Sequence, residues 1–182
     1  MLILIEARPG AGKTTALRRL AELLRRRGDT LAGFLTEEIR EGASRAGFSI
    51  ETFSGERGTL AHVGYPGPPR VGKYGVDLEK FELLALPALR APADAVLIDE
   101  LGKMELASVA FKDAVASLLD SDTPVVATVH AFRHPFTDRL KGRPDAEVVR
   151  LTRENRDELA RLLAERLARA SNPSRGADAP RP

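Results

Sequence analysis

Residues 7–15 combine glycine, lysine and threonine in a pattern that can bind phosphate groups. The segment reads ARPGAGKTT. Gly10 and Gly12 allow backbone conformations that a larger residue would block, so that successive N–H groups can point at phosphate oxygens. Lys13 can reach the β- and γ-phosphates of a nucleotide, and the Thr14 hydroxyl can ligate Mg²⁺. The segment therefore predicts a phosphate-binding loop (P-loop).

The first position of this segment departs from the usual pattern G-x-x-x-x-G-K-[ST], called Walker A, because Ala7 stands where the pattern has glycine. Alanine is the smallest replacement, and it is compatible with the loop if its backbone does not need a positive φ. The alternative is an ordinary glycine turn before a helix. We favour the P-loop because an apolar run precedes the segment and an amphipathic stretch follows it.

Two carboxylates, Asp99 and Glu100, follow a second short apolar run at residues 95–98. In P-loop proteins a strand that ends in aspartate, called Walker B, places that carboxylate near Mg²⁺, so we expect Asp99 to help to hold the metal. Glu100 can orient and deprotonate a water molecule beside the γ-phosphate, which hydrolysis requires. The alternative for Glu100 is a solvated acid just before a helix.

Phosphoryl transfer also needs positive charge on the γ-phosphate in the transition state. Lys103 lies just beyond the two carboxylates and is a candidate for this role. Arg143 is our candidate for an arginine finger, and Arg57 and Arg133 are others. For each arginine the alternative is a surface side chain without a role in catalysis.

Thr128 and His130 end a further predicted strand, which we expect to lie next to the strand of Asp99. Polar groups there can sense the γ-phosphate or the attacking water, although an ordinary strand end is the favoured alternative. His130 and His134 have the i, i+4 spacing of a metal pair. Pro135 argues against one continuous helix there, so we do not predict a metal site on them.

Short apolar runs alternate with longer amphipathic stretches, which is typical of an α/β fold with a mainly parallel sheet flanked by helices. Predicted strands cover residues 2–5, 95–98, 124–129 and 146–151. Predicted helices cover 13–27, 108–119 and 152–170, and another begins after Asp77 and is broken or kinked by Pro87. Residues 34–39 and 48–53 predict an antiparallel hairpin after the first helix, and 65–75 a loop.

The composition predicts one cytoplasmic domain over residues 1–170 and a disordered tail over 171–182. The 182 residues are 43% hydrophobic and include no cysteine, which excludes disulfides and thiolate metal sites. The formal net charge is only +2, which disfavours nucleic acid as a partner but leaves it open. No apolar run is long enough for a membrane span. We also expect the protein to be a monomer.

Four longer segments give a more specific signal. They read GFLTEEIR at 33–40, RVGKY at 70–74, FELLALP at 81–87 and IDELGKMEL at 98–106. Together with TRENR at 152–156, they resemble the small P-loop nucleoside-triphosphatase family. This family has bacterial, archaeal and vertebrate members, the last known as cancer-related nucleoside-triphosphatase. The resemblance covers most of residues 1–160, and the stretch around GKME is its most specific part.

The resemblance implies a RecA-like P-loop fold and slow, Mg²⁺-dependent hydrolysis of nucleoside 5′-triphosphates (ATP, GTP, CTP and UTP) to the diphosphate and phosphate. From the residues themselves we expect Lys13, Glu100, Lys103 and Arg143 to be catalytic, and Thr14 and Asp99 to hold the metal. The implied nucleotide-binding residues form two segments: Ala7, Arg8, Pro9, Gly10, Ala11, Gly12, Lys13, Thr14 and Thr15, and Val96, Leu97, Ile98, Asp99, Glu100, Leu101, Gly102 and Lys103.

Two other functions remain open from the sequence. Small-molecule kinases that phosphorylate nucleosides or nucleotides share the P-loop and the chain length. Such kinases need a lid and an acceptor pocket, which the region 31–75 could form. A nucleotide-dependent switch that docks on an RNA or protein partner would also show slow turnover. A phosphorylated product that needs an added acceptor would indicate the kinase, and triphosphate-dependent capture of a partner would indicate the switch.

Overall fold

A computed structural model describes residues 1–171 of the chain. The strands within this range are β1 (Leu2–Ala7), β2 (Leu31–Glu41), β3 (Ser44–Thr52), β4 (Arg57–His62), β5 (Arg70–Val71), β6 (Tyr74–Val76), β7 (Ala95–Leu101), β8 (Val125–His130) and β9 (Ala146–Arg150). The helices are α1 (Lys13–Arg27), α2 (Leu78–Arg90), α3 (Val109–Leu119), α4 (Pro135–Lys141) and α5 (Arg156–Ser171). A short 3₁₀ helix spans Glu105–Ala107.

The strands form one mixed sheet in the order β5-β6-β4-β3-β2-β7-β8-β1-β9. The five strands from β2 to β9 in this order are parallel to their neighbours. Beyond β2 every pairing is antiparallel. The predicted α/β architecture and the hairpin after the first helix are therefore confirmed, whereas the antiparallel part extends further than the sequence indicated.

Helices cover both faces of the central parallel strands β1, β7 and β8, which explains why these three are buried along nearly their whole length. On one face, leucines of α1 and α5 pack against Ile3 and Ile5. On the other face, Phe34 of β2, Phe81 of α2 and Phe111 of α3 form a buried cluster with ring centroids 5.0–5.8 Å apart. The two cores hold the strand ends that carry the site in fixed positions.

Three local predictions need correction. The segment 65–75 is not only loop, since it contributes β5 and the start of β6, which pair with each other. The helix after Asp77 does not break at Pro87 but continues to Arg90, so the proline is accommodated in its last turn. Ser171 belongs to α5 rather than to the predicted tail, and residues 172–182 lie outside the described range.

The carboxyl ends of the parallel strands meet at one edge of the sheet, the usual place for a ligand site in such folds. Strand β8 lies between β1 and β7, and Ala7 at the end of β1 is in register with His130 at the end of β8. The segments after β1 and around the end of β7 therefore face each other across β8.

No helix within residues 1–171 is long and apolar enough to cross a membrane.

Candidate nucleotide-binding site

The predicted P-loop joins β1 directly to α1. Gly10 has a φ of 76° and Gly12 a φ of 94°, a left-handed conformation that residues with a side chain rarely adopt. The Ala11 N–H donates to the carbonyl of Arg8 at 3.2 Å, and α1 begins at Lys13. The loop thus delivers backbone N–H groups at a helix N-terminus, where the helix dipole favours an anion.

Alanine at position 7 fits this loop without strain. Ala7 is the last residue of β1, is only 3% exposed and pairs in register with His130. Its backbone is extended, so the position does not need the freedom of glycine. The departure from the usual P-loop pattern therefore leaves the positive-φ positions of the loop, Gly10 and Gly12, unchanged.

The first two residues of α1 face the two carboxylates of β7. The Lys13 side chain is 9% exposed, and its Nζ lies 3.2 Å from Glu100 Oε2. The Thr14 hydroxyl donates a hydrogen bond to Asp99 Oδ2. The structure therefore brings together both halves of the predicted site, although Thr14 and Asp99 are 85 positions apart in the chain.

Asp99 and Glu100 both reach the P-loop because the pairing of β7 with β8 shifts register between Ile98 and Leu101. In a regular strand, adjacent side chains point to opposite faces, and such an irregularity re-aims them. Asp99 is 1% exposed, and it also accepts a hydrogen bond from Thr128 Oγ1 at 2.5 Å. Burial raises the pKa of Asp99, and the hydroxyls of Thr128 and Thr14 offset only part of this effect.

Glu100 lies between a histidine and a lysine. Its Oε1 is 2.5 Å from His130 Nε2, while its Oε2 pairs with Lys13. Burial by itself raises the pKa of Glu100, but the hydrogen bond from His130 and the charge of Lys13 outweigh it, so the pKa lies below its usual value. A carboxylate kept ionised beside a P-loop has the protonation state that a general base needs.

A third carboxyl group, Glu105, was not among the predicted site residues, although it lies in the GKME stretch. It is only 4% exposed, and it lines a cavity together with Lys13 and Glu100. A Cβ on Gly102 would lie 2.7 Å from Glu105 Oε2 and 2.8 Å from Glu100 Oε1, so the glycine lets the two carboxyl groups approach. Burial, followed by the charge of Glu100, raises the pKa of Glu105 to about 8.

Lys13, Glu100, Glu105 and His130 line a cavity of about 820 Å³ at the sheet edge. The predicted residues that line it are Pro9, Gly10, Gly12, Lys13, Thr14, Thr15, Glu100, Leu101, Gly102 and Lys103. Val96, Leu97 and Ile98 are buried within β7 and do not line it, and neither do Ala7, Arg8 and Ala11. Asp99, which is 1% exposed, does not line it either, and its carboxylate reaches the site through the hydrogen bond from Thr14. The far wall comes from the β2–β3 hairpin, which contributes Thr36, Glu37, Glu38, Arg45 and Phe48.

The arginine candidates separate into two groups. Arg133 lines the cavity, together with the exposed ring of Phe132. Arg143 does not line it, because its guanidinium is held by Asp145 at 2.8 and 3.0 Å and by the Leu119 carbonyl at 3.4 Å. Arg57 is also outside the cavity, where it pairs with Glu51 at 2.6 Å. Geometry therefore gives Arg143 no part in this site.

Two further arginines lie at the P-loop, and sequence reasoning gave them no role. Arg153 Nη2 is 3.5 Å from the carbonyl oxygen of Gly10. The Arg156 side chain packs on Gly12, where a Cβ would lie 2.9 Å from its Cδ. Both belong to the TRENR segment, which joins β9 to α5 and ends at Arg156, the first residue of α5. The resemblance marked this segment without indicating what it contacts.

The oxygen atoms of Thr14 and Asp99 fit Mg²⁺, which prefers oxygen ligands. In proteins this ion usually keeps several of its coordination positions for water and phosphate oxygens. The Thr14 hydroxyl donates a hydrogen bond to the Asp99 carboxylate, which is buried beside the P-loop. Among the described residues, no group of three or more His, Asp or Glu side chains is arranged to hold a metal alone. A cation here would therefore be completed by oxygens from phosphate or water.

A left-handed glycine loop at a helix N-terminus, opposite buried carboxylates at parallel strand ends, defines a P-loop nucleotide-binding protein. Residues 2–164 match the family described as NTPase. The chain belongs to this nucleoside-triphosphatase family.

Curated relatives and solved structures agree with this assignment. Nucleoside-triphosphatase THEP1 of Thermotoga maritima is 43% identical over 87% of this chain and 91% of its own length. The cancer-related nucleoside-triphosphatase of Homo sapiens is 41% identical over 83% of this chain and 88% of its own. The crystal structure of THEP1 from Aquifex aeolicus superposes with a TM-score of 0.81 at 35% identity, over 92% of this chain and 99% of that one. The P-loop fold expected from the sequence is confirmed.

Proposed function

We propose that this chain hydrolyses nucleoside 5′-triphosphates, among them ATP, GTP, CTP and UTP, to the diphosphate and phosphate in a slow, Mg²⁺-dependent reaction. The observation that carries the proposal is the position of Glu100, whose carboxylate lies 3.2 Å from the P-loop lysine, Lys13. Support also comes from relatives that are named nucleoside-triphosphatases and match most of the chain. A cytoplasmic monomer remains our expectation.

Binding of the phosphates changes the partner of Lys13. The P-loop N–H groups hold the phosphate oxygens, and the ammonium of Lys13 moves from Glu100 to the β- and γ-phosphates. Glu100 then keeps its hydrogen bond from His130 and has a free oxygen for a water molecule. That water attacks the γ-phosphorus as Glu100 accepts its proton, and the nucleoside diphosphate leaves.

Thr14 and Asp99 would hold Mg²⁺. The metal would neutralise charge on the phosphate oxygens as the bond to the leaving group breaks. Thr128 fixes the second oxygen of the Asp99 carboxylate, so this side chain cannot turn away from the P-loop. Lys103 lines the cavity just beyond Glu100 and would add positive charge on the γ-phosphate side.

Phosphate release from Mg·ATP, Mg·GTP, Mg·CTP and Mg·UTP, without any acceptor, tests the proposal. We expect release by the wild type, at least a 100-fold lower rate for Glu100→Gln with nucleotide still bound, and loss of both binding and release for Lys13→Ala. Glu22→Gln is the matched control, because Glu22 is exposed on α1. Tight nucleotide binding without phosphate release by the wild type would overturn the hydrolase proposal.

One observation favours a second candidate, a small-molecule kinase. The cavity continues past Glu100 to a wall formed by the β2–β3 hairpin and Val71 of β5, which leaves space beyond the γ-phosphate. In a kinase this space would hold a phosphoryl acceptor instead of water. Adding nucleosides and nucleoside monophosphates to the same assay distinguishes the two: a phosphorylated product that accumulates at the expense of free phosphate would indicate the kinase.

A further inference from the structure

The loop from Leu151 to Asn155 is fixed beside the P-loop by hydrogen bonds. The Leu151 N–H donates to the Glu6 carbonyl of β1 at 2.9 Å. The Thr152 N–H donates to Asn155 Oδ1 at 2.8 Å, and the Asn155 amide donates to the Arg150 carbonyl at 3.0 Å. The side chain between these anchors, Arg153, is therefore presented from an ordered loop, which lowers the entropic cost of binding a ligand.

Arg153 and Arg156 contact the P-loop in different ways. Arg156 packs on Gly12, and its Nε lies 3.6 Å from Asp157, so it serves the attachment of α5 to the loop. Arg153 is exposed, and its Nη2 lies 3.5 Å from the Gly10 carbonyl at the outer side of the loop. Of the two guanidinium groups, Arg153 is the one whose faces are accessible to a ligand.

The strand order fixes the direction of a bound nucleotide. The end of β1 has β8 and β7 on one side and β9 on the other. Asp99, Glu100 and His130 lie on the β7–β8 side and mark the position of the γ-phosphate. The phosphate chain therefore runs across the P-loop away from these residues, and its nucleoside end emerges at the loop after β9.

We propose that the guanidinium of Arg153 stacks on the nucleobase of the bound nucleotide. This inference rests on the proposed function, since it assigns the base-binding part of the same substrate site. An arginine plane stacks on any base through the π face, without reading donors and acceptors on the base edge. Such a contact adds affinity for purine and pyrimidine nucleotides alike.

Binding of nucleoside diphosphates tests this contact without turnover. Affinities of ADP, GDP, CDP and UDP with Mg²⁺ are compared with that of pyrophosphate, which has no base. We expect Arg153→Ala to weaken all four diphosphates by roughly tenfold and to change pyrophosphate binding less than twofold. Arg153→Lys, which keeps the charge without the plane, should behave like Arg153→Ala.

Arg150→Ala is the matched control because it removes one positive charge from the same segment. Val149 packs against the core shared by α1 and α5, so its neighbour Arg150 points to the opposite face of β9. The inference is overturned if pyrophosphate loses as much affinity as the diphosphates, if Arg153→Lys restores binding, if one base alone is affected, or if no affinity changes.

The two proposals fail in different assays. A wild type that binds the diphosphates through Arg153 but releases no phosphate from the triphosphates would overturn the hydrolase proposal alone. A wild type that hydrolyses the triphosphates while both Arg153 variants bind every diphosphate normally would overturn the base contact alone.

Discussion

His130 Nε2 lies 2.5 Å from Glu100 Oε1, so the last residue of β8 holds the carboxylate that faces the P-loop lysine. A donor at this position has two effects. It keeps the pKa of Glu100 low despite burial, and it leaves one carboxylate oxygen in a fixed orientation. His130 thus acts in this site as a positioning residue for Glu100.

Replacing His130 by alanine should slow phosphate release and change its pH dependence. Without the donor, burial is opposed only by Lys13 and the pKa of Glu100 rises, so the carboxylate ionises at higher pH than in the wild type. We expect kcat to fall roughly 10- to 100-fold, and the acidic limb of the kcat/KM profile to move to higher pH. His130→Gln can still donate and should retain part of the rate. An unchanged acidic limb in His130→Ala would contradict this role.

Replacing Thr128 by valine should destabilise the protein through Asp99. The carboxylate is 1% exposed and would lose the 2.5 Å hydrogen bond, while valine preserves the shape of threonine. We expect the free energy of unfolding at pH 7 to fall by about 1–3 kcal/mol, as measured by urea denaturation. Thr128→Ser keeps the hydroxyl and should lose less. Equal losses for valine and serine would assign the effect to packing instead.

Alanine at the two P-loop glycines should have unequal costs. Both positions have positive φ, so each substitution adds backbone strain of about 1 kcal/mol. A Cβ at Gly10 meets nothing within 4 Å, whereas one at Gly12 contacts Arg156. We therefore expect Gly12→Ala to lower the melting temperature and the nucleotide affinity more than Gly10→Ala does.

A double-mutant cycle with Arg156→Ala tests that explanation. Removing the Arg156 side chain relieves the contact at Gly12 and leaves the strain at both glycines. The extra cost of Gly12→Ala should therefore disappear in the Arg156→Ala background. Additive effects of the two substitutions would show that the contact with Arg156 is not the cause.

Glu105 should make the stability of the apoprotein fall as the pH rises. Its folded-state pKa of about 8 exceeds the ordinary glutamate pKa of 4.5, so the folded protein binds the proton more tightly than the unfolded chain. The resulting stabilisation is complete below pH 4.5 and is lost as the pH rises through about 8. Glu105→Gln has no carboxyl group at this position and does not show this loss. The free energy of unfolding of Glu105→Gln minus that of the wild type should therefore increase between pH 5 and pH 8, by on the order of a few kcal/mol.

Urea denaturation without Mg²⁺ at a series of pH values measures this difference. Asp99 and Glu100, the charges that act on Glu105, are present in both proteins, so their direct contributions largely cancel. Glu22→Gln, on the exposed side of α1, controls for the loss of a negative charge. A stability difference that stays constant with pH would show that Glu105 does not titrate in this range.

The sequence alone predicted the elements whose signals are local. The glycine spacing and the lysine of the P-loop occupy consecutive positions, and the flanking apolar run and amphipathic stretch identify β1 and α1. The same holds for the Asp77 cap, which accepts a hydrogen bond from the Lys80 N–H as expected. Strands β4, β5 and β6 were missed because short antiparallel strands depend on their partners for stability.

The partners of Glu100 and Asp99 depended on the tertiary structure. Thr128 and Asp99 are 29 positions apart, and only the placement of β8 between β1 and β7 makes them neighbours. The sequence suggested Thr128 and His130 as sensors but did not show which carboxylate each one contacts. Arg143 and Arg153 are both arginines in loops, but Arg143 pairs with Asp145 only 2 positions away. Arg153 reaches Gly10, 143 positions away, and only the tertiary structure brings these two together.

The sequence by itself determined the phosphate-binding loop, the Asp-Glu pair and the alternation of strands and helices, because neighbouring residues and their periodicity encode these features. The tertiary structure decided which side chains converge on that loop. Convergence depends on strand order and on one irregularity in β7, and these follow from packing between segments far apart in the chain.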